Sequence, residues 1–504
     1  MVHPGRPSRG CNVCRKRRIK CDEAVPVCSY CLKKQLPCPG YKSQFDVAWR
    51  DQNTVAEKSV RRRKNAIEKA DREHVAGEQL ARLSSRSALQ ILSQDYEAYA
   101  LSFFFSSYIF PQGNLEGRRG CLDCLHPVWV QTHPTSPLRP AVAAVASWML
   151  EAWSLMKPDL PLSLSRSHYL KGVTALRKSL QSTKNVGDDV LMAALMLDMY
   201  EGVCSFSKSK PKDSPHGSGT TALVECRRQL PFASETSQRV LHGARSQIIG
   251  RALSTTEPVP LSVSKWTEMA PHVLETPGSQ LDDLNVEVAN LRALASQLKS
   301  DTAVEGTSVV GILREATVLD QRLLAWRDSL PSDWGPLRVS GPECIPQSVR
   351  DAGLYQNHCD IYKSIFIAFT LNSHCCSRIK VQLTILACLK YLNNDHFDTA
   401  TVTGLEIIQE LADTICASIP YHLGDRVTTG RIDDKTVQYP RFGGLPVPED
   451  HYGAAAAFGG WLLTTRLSEL LSPSVLLRDG QRQWIGGQMS RVGRIYVVQP
   501  HKAT

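Results

Sequence analysis

Cys11-Asn12-Val13-Cys14-Arg15-Lys16-Arg17-Arg18-Ile19-Lys20-Cys21, with Cys28-Ser29-Tyr30-Cys31 and then Cys38 behind it, is the stretch from which the chain is read. Its six cysteines fall as C-x2-C-x6-C-x6-C-x2-C-x6-C, two tandem copies of C-x2-C-x6-C with no insertion. A C-x2-C pair lets two thiolates grip one tetrahedral ion, and the six-residue spacer returns a third. Each half therefore supplies three ligands where a closed zinc site needs four. Two ions need eight thiolate contacts, and six cysteines provide them if two of them bridge. Symmetry selects the first cysteine of each half. The expected cofactor is two Zn²⁺, one held by Cys11, Cys14, Cys21 and Cys28, the other by Cys28, Cys31, Cys38 and Cys11. Such a segment has almost no apolar core, and metal binding worth on the order of 10 kcal/mol or more would have to fold it.

Charge says what the knot presents. Residues 1–72 hold 18 of the chain's 59 Lys and Arg against 7 of its 49 Asp and Glu, so the remaining chain is close to neutral. Within 11–38, Arg15, Lys16, Arg17, Arg18, Lys20, Lys33 and Lys34 outnumber Asp22 and Glu23, and the module stays cationic even with six thiolates on two Zn²⁺. A basic head on a neutral body points to an anionic polymer, nucleic acid first. A zinc-dependent protein-interaction module that reads no DNA sequence is the alternative. Modules of that kind normally use eight ligands with histidine among them, and His3 is the only histidine before His74.

The rest of the 504 residues narrows the class further. Met1-Val2-His3-Pro4-Gly5-Arg6 lacks the apolar core of a secretory signal. The longest apolar stretches, Leu101 to Phe110 and Ala454 to Leu463, are far short of the roughly 18–20 residues of a membrane helix. An intracellular protein with no membrane partner follows, in which clustered cysteines mean metal before disulfides. No phosphate loop, G-x-S-x-G elbow, H-E-x2-H or G-x-G-x2-G is present, so nothing asks for catalysis. Cys121, Cys124 and His126, and likewise His374, Cys375 and Cys376, read as buried thiols rather than second metal sites.

Four zones follow along the chain: a basic arm over 1–10, the cysteine module over 11–41, a polar linker over 42–86, and a helical zone over 87–504. Apolar residues recur at spacings of three and four in Leu89, Leu92, Tyr96, Tyr99, Phe103; in Leu281, Leu284, Val288, Leu291, Ala295, Leu298; in Ile312, Ala316, Leu319, Leu323, Trp326, Leu330; and in Tyr355, Cys359, Tyr362, Phe366, Phe369. Asp188 or Asp189 is placed to cap a helix over 190–200, and Pro331 and Pro420 to stop the helices before them. Residues 205–221, rich in Ser, Lys, Pro and Gly, read as a mobile loop. The fold class is mainly α, a small zinc-cluster domain ahead of a large all-α domain. In the linker, Arg61-Arg62-Arg63-Lys64 serves nuclear import or adds a phosphate contact, or else is a solvated charge run. A coiled coil over 47–83 has a poor register, because Lys64 and Asp71 are charged, so a homodimer stays open.

The run Cys-Asn-Val-Cys-Arg-Lys-Arg-Arg-Ile-Lys-Cys-Asp over 11–22, followed by Pro26-Val27-Cys28-Ser29-Tyr30-Cys31, resembles the fungal Zn₂Cys₆ binuclear-cluster DNA-binding domain. That resemblance implies the bridged scheme and a short helix after the second cysteine that enters the major groove over a CGG-type triplet. Arg18 then occupies the reading position, with Arg17 beside it and an arginine where the family more often has lysine. Arg15, Lys16, Lys20, Lys33 and Lys34 complete the basic DNA-binding set, largely as phosphate contacts. Asp95-Tyr96-Glu97-Ala98-Tyr99, Phe103 to Phe110, and Leu324-Ala325-Trp326-Arg327 ahead of Leu330-Pro331 resemble the fungal-specific transcription factor regulatory domain, of its second type. By resemblance the chain is a nuclear, RNA polymerase II-type transcription regulator of a specialised metabolic pathway. Its partners would be double-stranded DNA and a small-molecule or protein effector of the helical domain.

Overall fold

The computed structural model describes residues 9–41, 96–109, 120–153, 163–182, 186–206, 215–227, 232–264, 266, 275–296, 306–393 and 399–496. The chain divides into two compact units, Met1–Ile91 and Leu92–Thr504. The linker, with Arg61 to Lys64 and the coiled-coil candidate over 47–83, lies outside the described residues.

The first unit contains two short helices, α1 (Asn12–Lys16) and α2 (Ser29–Lys33). Its buried set is Cys11, Cys14, Cys28 and Cys31, with Val13, Cys21, Val27, Tyr30, Leu36, Cys38 and Tyr41 packed around them. Sulfur takes the place of a hydrocarbon core.

The second unit is helical, as its periodicity predicts. Its long helices are Leu138–Trp153, Ser163–Ser182, Asp188–Phe206, Glu235–Thr255, Pro277–Ser296, Gly306–Asp328, Ile365–Asn393, Thr399–Leu423, Glu449–Leu470 and Gln481–Tyr496. Local chemistry sets several ends. Ser234 accepts a hydrogen bond from the Ser237 amide at 3.1 Å. Thr276 and Ser279 bond reciprocally, side chain to amide, at 3.2 and 2.9 Å ahead of a helix whose first residue is Pro277. Ile365–Asn393 lies at the centre. Cys375, Cys376 and Ile379 belong to one apolar cluster, while Ile367, Ala368, Leu371 and Val381 belong to another that holds Leu281, Val288, Leu319, Leu323 and Trp334. A helix enclosed on every side must satisfy its polar groups internally. Arg378 makes a two-pronged pair with Asp320 at 2.9 and 3.0 Å, Ser377 donates to Asn285 at 2.6 Å, Asn372 to Ser418 at 2.9 Å, and His374 Nε2 lies 2.9 Å from the Leu323 carbonyl.

Several sequence expectations change here. The stripe of Tyr96, Tyr99 and Phe103 is split: Tyr96 and Phe103 pack against the core beside the buried Ala100, Phe104 and Tyr108, whereas Tyr99 is exposed. Aromatics on adjacent faces all fit a three-four spacing, and only packing selects one face. Tyr355, Cys359 and Tyr362 are not helical. Strands β1 (Leu337–Ser340) and β2 (His358–Ile361) pair antiparallel, Arg338 opposite Asp360, with their side chains bonded at 2.9 and 3.2 Å. Gln356 and Asn357, both at positive φ, reverse the chain immediately before β2. Pro420 sits inside the helix Thr399–Leu423 rather than beyond it, because near the end it forfeits a single bond while Tyr421, His422 and Leu423 remain buried. Asp188 and Asp189 are first-turn residues rather than caps. Asp188 accepts from Arg227 and Ser237, and Asp189 from Ser136 at 2.6 Å. The expected mobile loop over 205–221 holds in neither flank. The preceding helix runs through Phe206, and Pro215–Cys226 is a helix that buries Thr220, Leu223 and Val224, while 207–214 lies outside the described residues. No helix of the described residues is long and apolar enough to cross a membrane.

Candidate metal centre and nucleic-acid interface

The six cysteines of the first unit converge. Their Sγ atoms form two sets, Cys11, Cys14, Cys21, Cys28 and Cys11, Cys28, Cys31, Cys38, with all sulfurs of a set within 4.8 Å of one another. These are the two quartets derived from the spacing, with Cys11 and Cys28 common to both. Cys11–Cys28, Cys11–Cys31 and Cys14–Cys28 are each separated by 3.8 Å. A tetrahedron with metal–sulfur bonds of about 2.3 Å has edges of about 3.8 Å, far from the roughly 2 Å of a disulfide. The donor set therefore fits two zinc ions in size, number and chemistry. Burial pushes the Cys14 and Cys31 thiols up while backbone hydrogen bonds pull Cys21 and Cys38 down, so a bound cation would be needed to hold all six as thiolates.

The backbone repeats at an offset of seventeen residues. In the first half the amides of Arg15, Arg17, Arg18 and Ile19 donate to the carbonyls of Cys11, Val13, Arg15 and Cys14. In the second half Leu32, Lys34, Gln35 and Leu36 donate to Cys28, Tyr30, Leu32 and Cys31. Each half is one turn of helix started by a cysteine and ended by a residue in left-handed conformation, Arg18 at φ 52° and Gln35 at φ 49°. The halves differ in side chains. Arg15, Arg17, Arg18 and Lys20 stand where the second half has Leu32, Lys34, Gln35 and Pro37, so cationic density concentrates at the end of α1.

Arg15, Lys16, Arg17, Arg18, Lys20, Lys33 and Lys34 are all exposed, and none makes an ion pair with a described carboxylate. Sulfur faces inward and cationic nitrogen outward. Two further residues hold the head. Ser29 N donates to the Asp22 carboxylate at 3.1 and 3.3 Å, and the Tyr41 hydroxyl donates to the Ala24 carbonyl at 2.8 Å. Asp22 was visible as part of the motif. Tyr41 was not singled out, and its only signal is an aromatic residue three places after the last cysteine.

The other cysteine candidates do not assemble. Cys121 and Cys124 are buried while His126 on the same helix is exposed, and burial pushes the Cys121 thiol up to about 12. Cys375 and Cys376 lie in the core and His374 stacks on Trp326 at 5.1 Å. Among the described residues, only the two quartets of the head gather metal-ligand atoms. In the second unit an open groove of about 380 Å³ lies between Pro277–Ser296 and Gly306–Asp328. Three of its polar lining groups are already engaged, Glu287 and Arg322 with each other and Asn290 with the Val259 amide.

Comparison with known proteins agrees with this geometry. Residues 9–46 match the fungal Zn(2)-Cys(6) binuclear cluster domain. Transcription factor dbaG of Emericella nidulans is 22% identical over 337 residues, which cover 65% of this chain and 74% of that protein. The alignment thus extends far beyond the cluster. Transcription activator AMTR1 of Alternaria alternata is 38% identical over 61 residues, 11% of this chain and 8% of that protein. Sterol uptake control protein 2 of Candida albicans is 59% identical over 32 residues, 6% and 4% respectively. These last two likenesses span a small fraction of either chain. No solved structure matches the chain.

Proposed function

We propose that this chain, whose residues 9–46 match the fungal Zn(2)-Cys(6) binuclear cluster domain, is a DNA-binding transcription regulator of that kind, and that it works in the nucleus on RNA polymerase II-type genes by reading a CGG-like triplet. The observation that carries the reading is the segregation in the head, six converging sulfurs inside and seven exposed cations outside that pair with no carboxylate among the described residues. Cys11 and Cys28 would each serve both metal ions, and Cys14, Cys21, Cys31 and Cys38 one each. Bound zinc supplies the tetrahedral cross-links that an apolar core would otherwise provide.

The protein's own contribution is placement. The one-turn helix α1 ends in Arg17 and Arg18, and the left-handed backbone at Arg18 turns the chain sharply there, leaving both guanidinium groups free. An arginine fork matches the O6 and N7 acceptors of guanine in the major groove. Arg15, Lys16, Lys20, Lys33 and Lys34 meet phosphates, which gives affinity and register without sequence information. The helical body serves as the regulatory part, and control of a specialised metabolic pathway is the reading favoured by resemblance.

Selection of preferred duplexes from a random pool with the full chain, at two salt concentrations, tests this. A recovered CGG-like triplet supports the reading. Salt-insensitive protein binding with no duplex preference would instead identify a zinc-dependent interaction module.

A further inference from the structure

Two contacts besides the sulfur cluster tie the halves of the head together, and the Tyr41 hydroxyl in one of them also lies against the Cys21 thiol. Asp22 directly follows Cys21 and takes the amide of Ser29, which directly follows Cys28; the separations are 3.1 and 3.3 Å. Tyr41, half-buried against the sulfur cluster, donates its hydroxyl to Ala24 in the joining loop at 2.8 Å. Asp22 belongs to neither sulfur quartet. The two contacts pin residues 22–24 from both sides, and these residues begin where Arg18-Ile19-Lys20-Cys21 ends.

We infer that Asp22 and Tyr41 are positioning residues for DNA reading, which fix the path of the chain leaving the Arg17–Arg18 turn. This inference rests on the function proposed above. The turn is anchored upstream by α1, where Ile19 N bonds to the Cys14 carbonyl. Downstream, the Cys21 sulfur accepts from the amides of Cys11 and Glu23, which holds the chain locally but leaves residue 22 free to move relative to the second half. The Asp22–Ser29 bond removes that freedom by locking the next peptide to the second half, and Tyr41 holds the loop two residues further on. Base reading needs donors placed within about half an ångström, whereas phosphate contacts tolerate more. Loosening this clasp therefore costs discrimination before it costs general affinity.

The test uses the zinc-loaded full chain with Asp22→Ala, Asp22→Asn and Tyr41→Phe. Metal content, the cobalt–thiolate absorption of cobalt-substituted protein, and affinity for a selected and a scrambled duplex are measured together. Asp22→Ala should keep two metals per chain and unchanged cobalt bands, yet bind the selected duplex about tenfold more weakly while the scrambled duplex shifts less than about twofold. Asp22→Asn, whose amide oxygen still accepts from Ser29, should recover most of the loss, and Tyr41→Phe should show a smaller loss of the same kind. Metal loss or altered cobalt bands in Asp22→Ala would make the residue a support of the cluster and overturn the inference. So would discrimination equal to that of the unsubstituted chain. Equal binding of both duplexes by the unsubstituted chain would remove the functional reading, and this inference with it.

Discussion

The head and the body of this protein solve the same problem with opposite means. In Met1–Ile91 the buried residues of the described core are four cysteines. In Leu92–Thr504 helices such as Leu138–Trp153 are largely enclosed in hydrocarbon, and the central helix Ile365–Asn393 is buried on all sides over residues 371–382. A chain segment that buries little apolar surface cannot offset the entropy of ordering, so the head depends on metal. The body depends on packing, and its polar interior must be satisfied group by group. The two units should therefore fail under different insults.

The largest separation is expected from zinc removal. Strong chelator, or Cys28→Ala, which takes a ligand from both quartets, should unfold residues 11–38 outright while the helical circular dichroism of the body stays. Metal analysis should give two zincs per native chain, and a head that kept its structure in chelator would end the comparison.

Acid should weaken the body through its buried histidines, beside the competition of protons with zinc for the thiolates of the head. His374 and His451 are pushed down to about 4 and His422 to about 3, each chiefly by burial. Folded values below the unfolded value of about 6.5 mean that the unfolded chain binds more protons. Their contribution is fully present above pH 6.5 and is lost as pH falls toward 4. Glu151, raised by burial to about 7, works in the opposite direction between pH 4.5 and 7 and cancels one histidine. His168 and His242 are lowered by burial as well, so the histidines outweigh Glu151 and the stability of the body should fall as the pH drops from 6 to 4.5. Denaturant midpoints of the body measured across that range check the slope, and a flat profile would contradict it.

Arg491 offers a comparable blow at one residue. Its guanidinium, 2% exposed, donates to the carbonyls of Arg426, Gly424 and Ala352 and to Gln488 at 2.6–3.1 Å. Arg491→Ala strands these acceptors and should lower body stability by about 3–5 kcal/mol, with zinc content unchanged. Gly459 and Gly460 mark a second weak point. A Cβ at Gly459 would lie 2.1 Å from the His422 carbonyl oxygen, and one at Gly460 would lie 2.2 Å from the Tyr496 ring.

The smallest effects sharpen the division within the head. Arg18→Ala should cost about 1–3 kcal/mol at the selected duplex and relax its specificity. Lys33→Ala should weaken all duplexes alike and reduce the salt slope by about one unit. Titrations at several salt concentrations distinguish the two outcomes.

Legibility followed the range of the forces involved. The quartets were readable because tetrahedral coordination by six thiolates leaves few solutions once the spacing is known. The amphipathic faces of Pro277–Ser296 and Gly306–Asp328 were readable because each presents one apolar stripe to one side. The face of the helix over 96–108 was not, since aromatics surround it. The hairpin of Leu337–Ser340 with His358–Ile361 was hidden as well, because Cys359 and Tyr362 fit a helical spacing as well as a strand.

By itself the sequence determined the grouping of the six cysteines into two quartets, the cationic head and the helical class of the body, because these rest on spacing, charge and periodicity along the chain. Tertiary structure alone decided which face of each helix became core, that Pro420 lies inside a helix, and that Asp22 and Tyr41 tie the halves of the head together. Those outcomes depend on which distant group arrives opposite, and a residue's own neighbours in sequence carry no record of that.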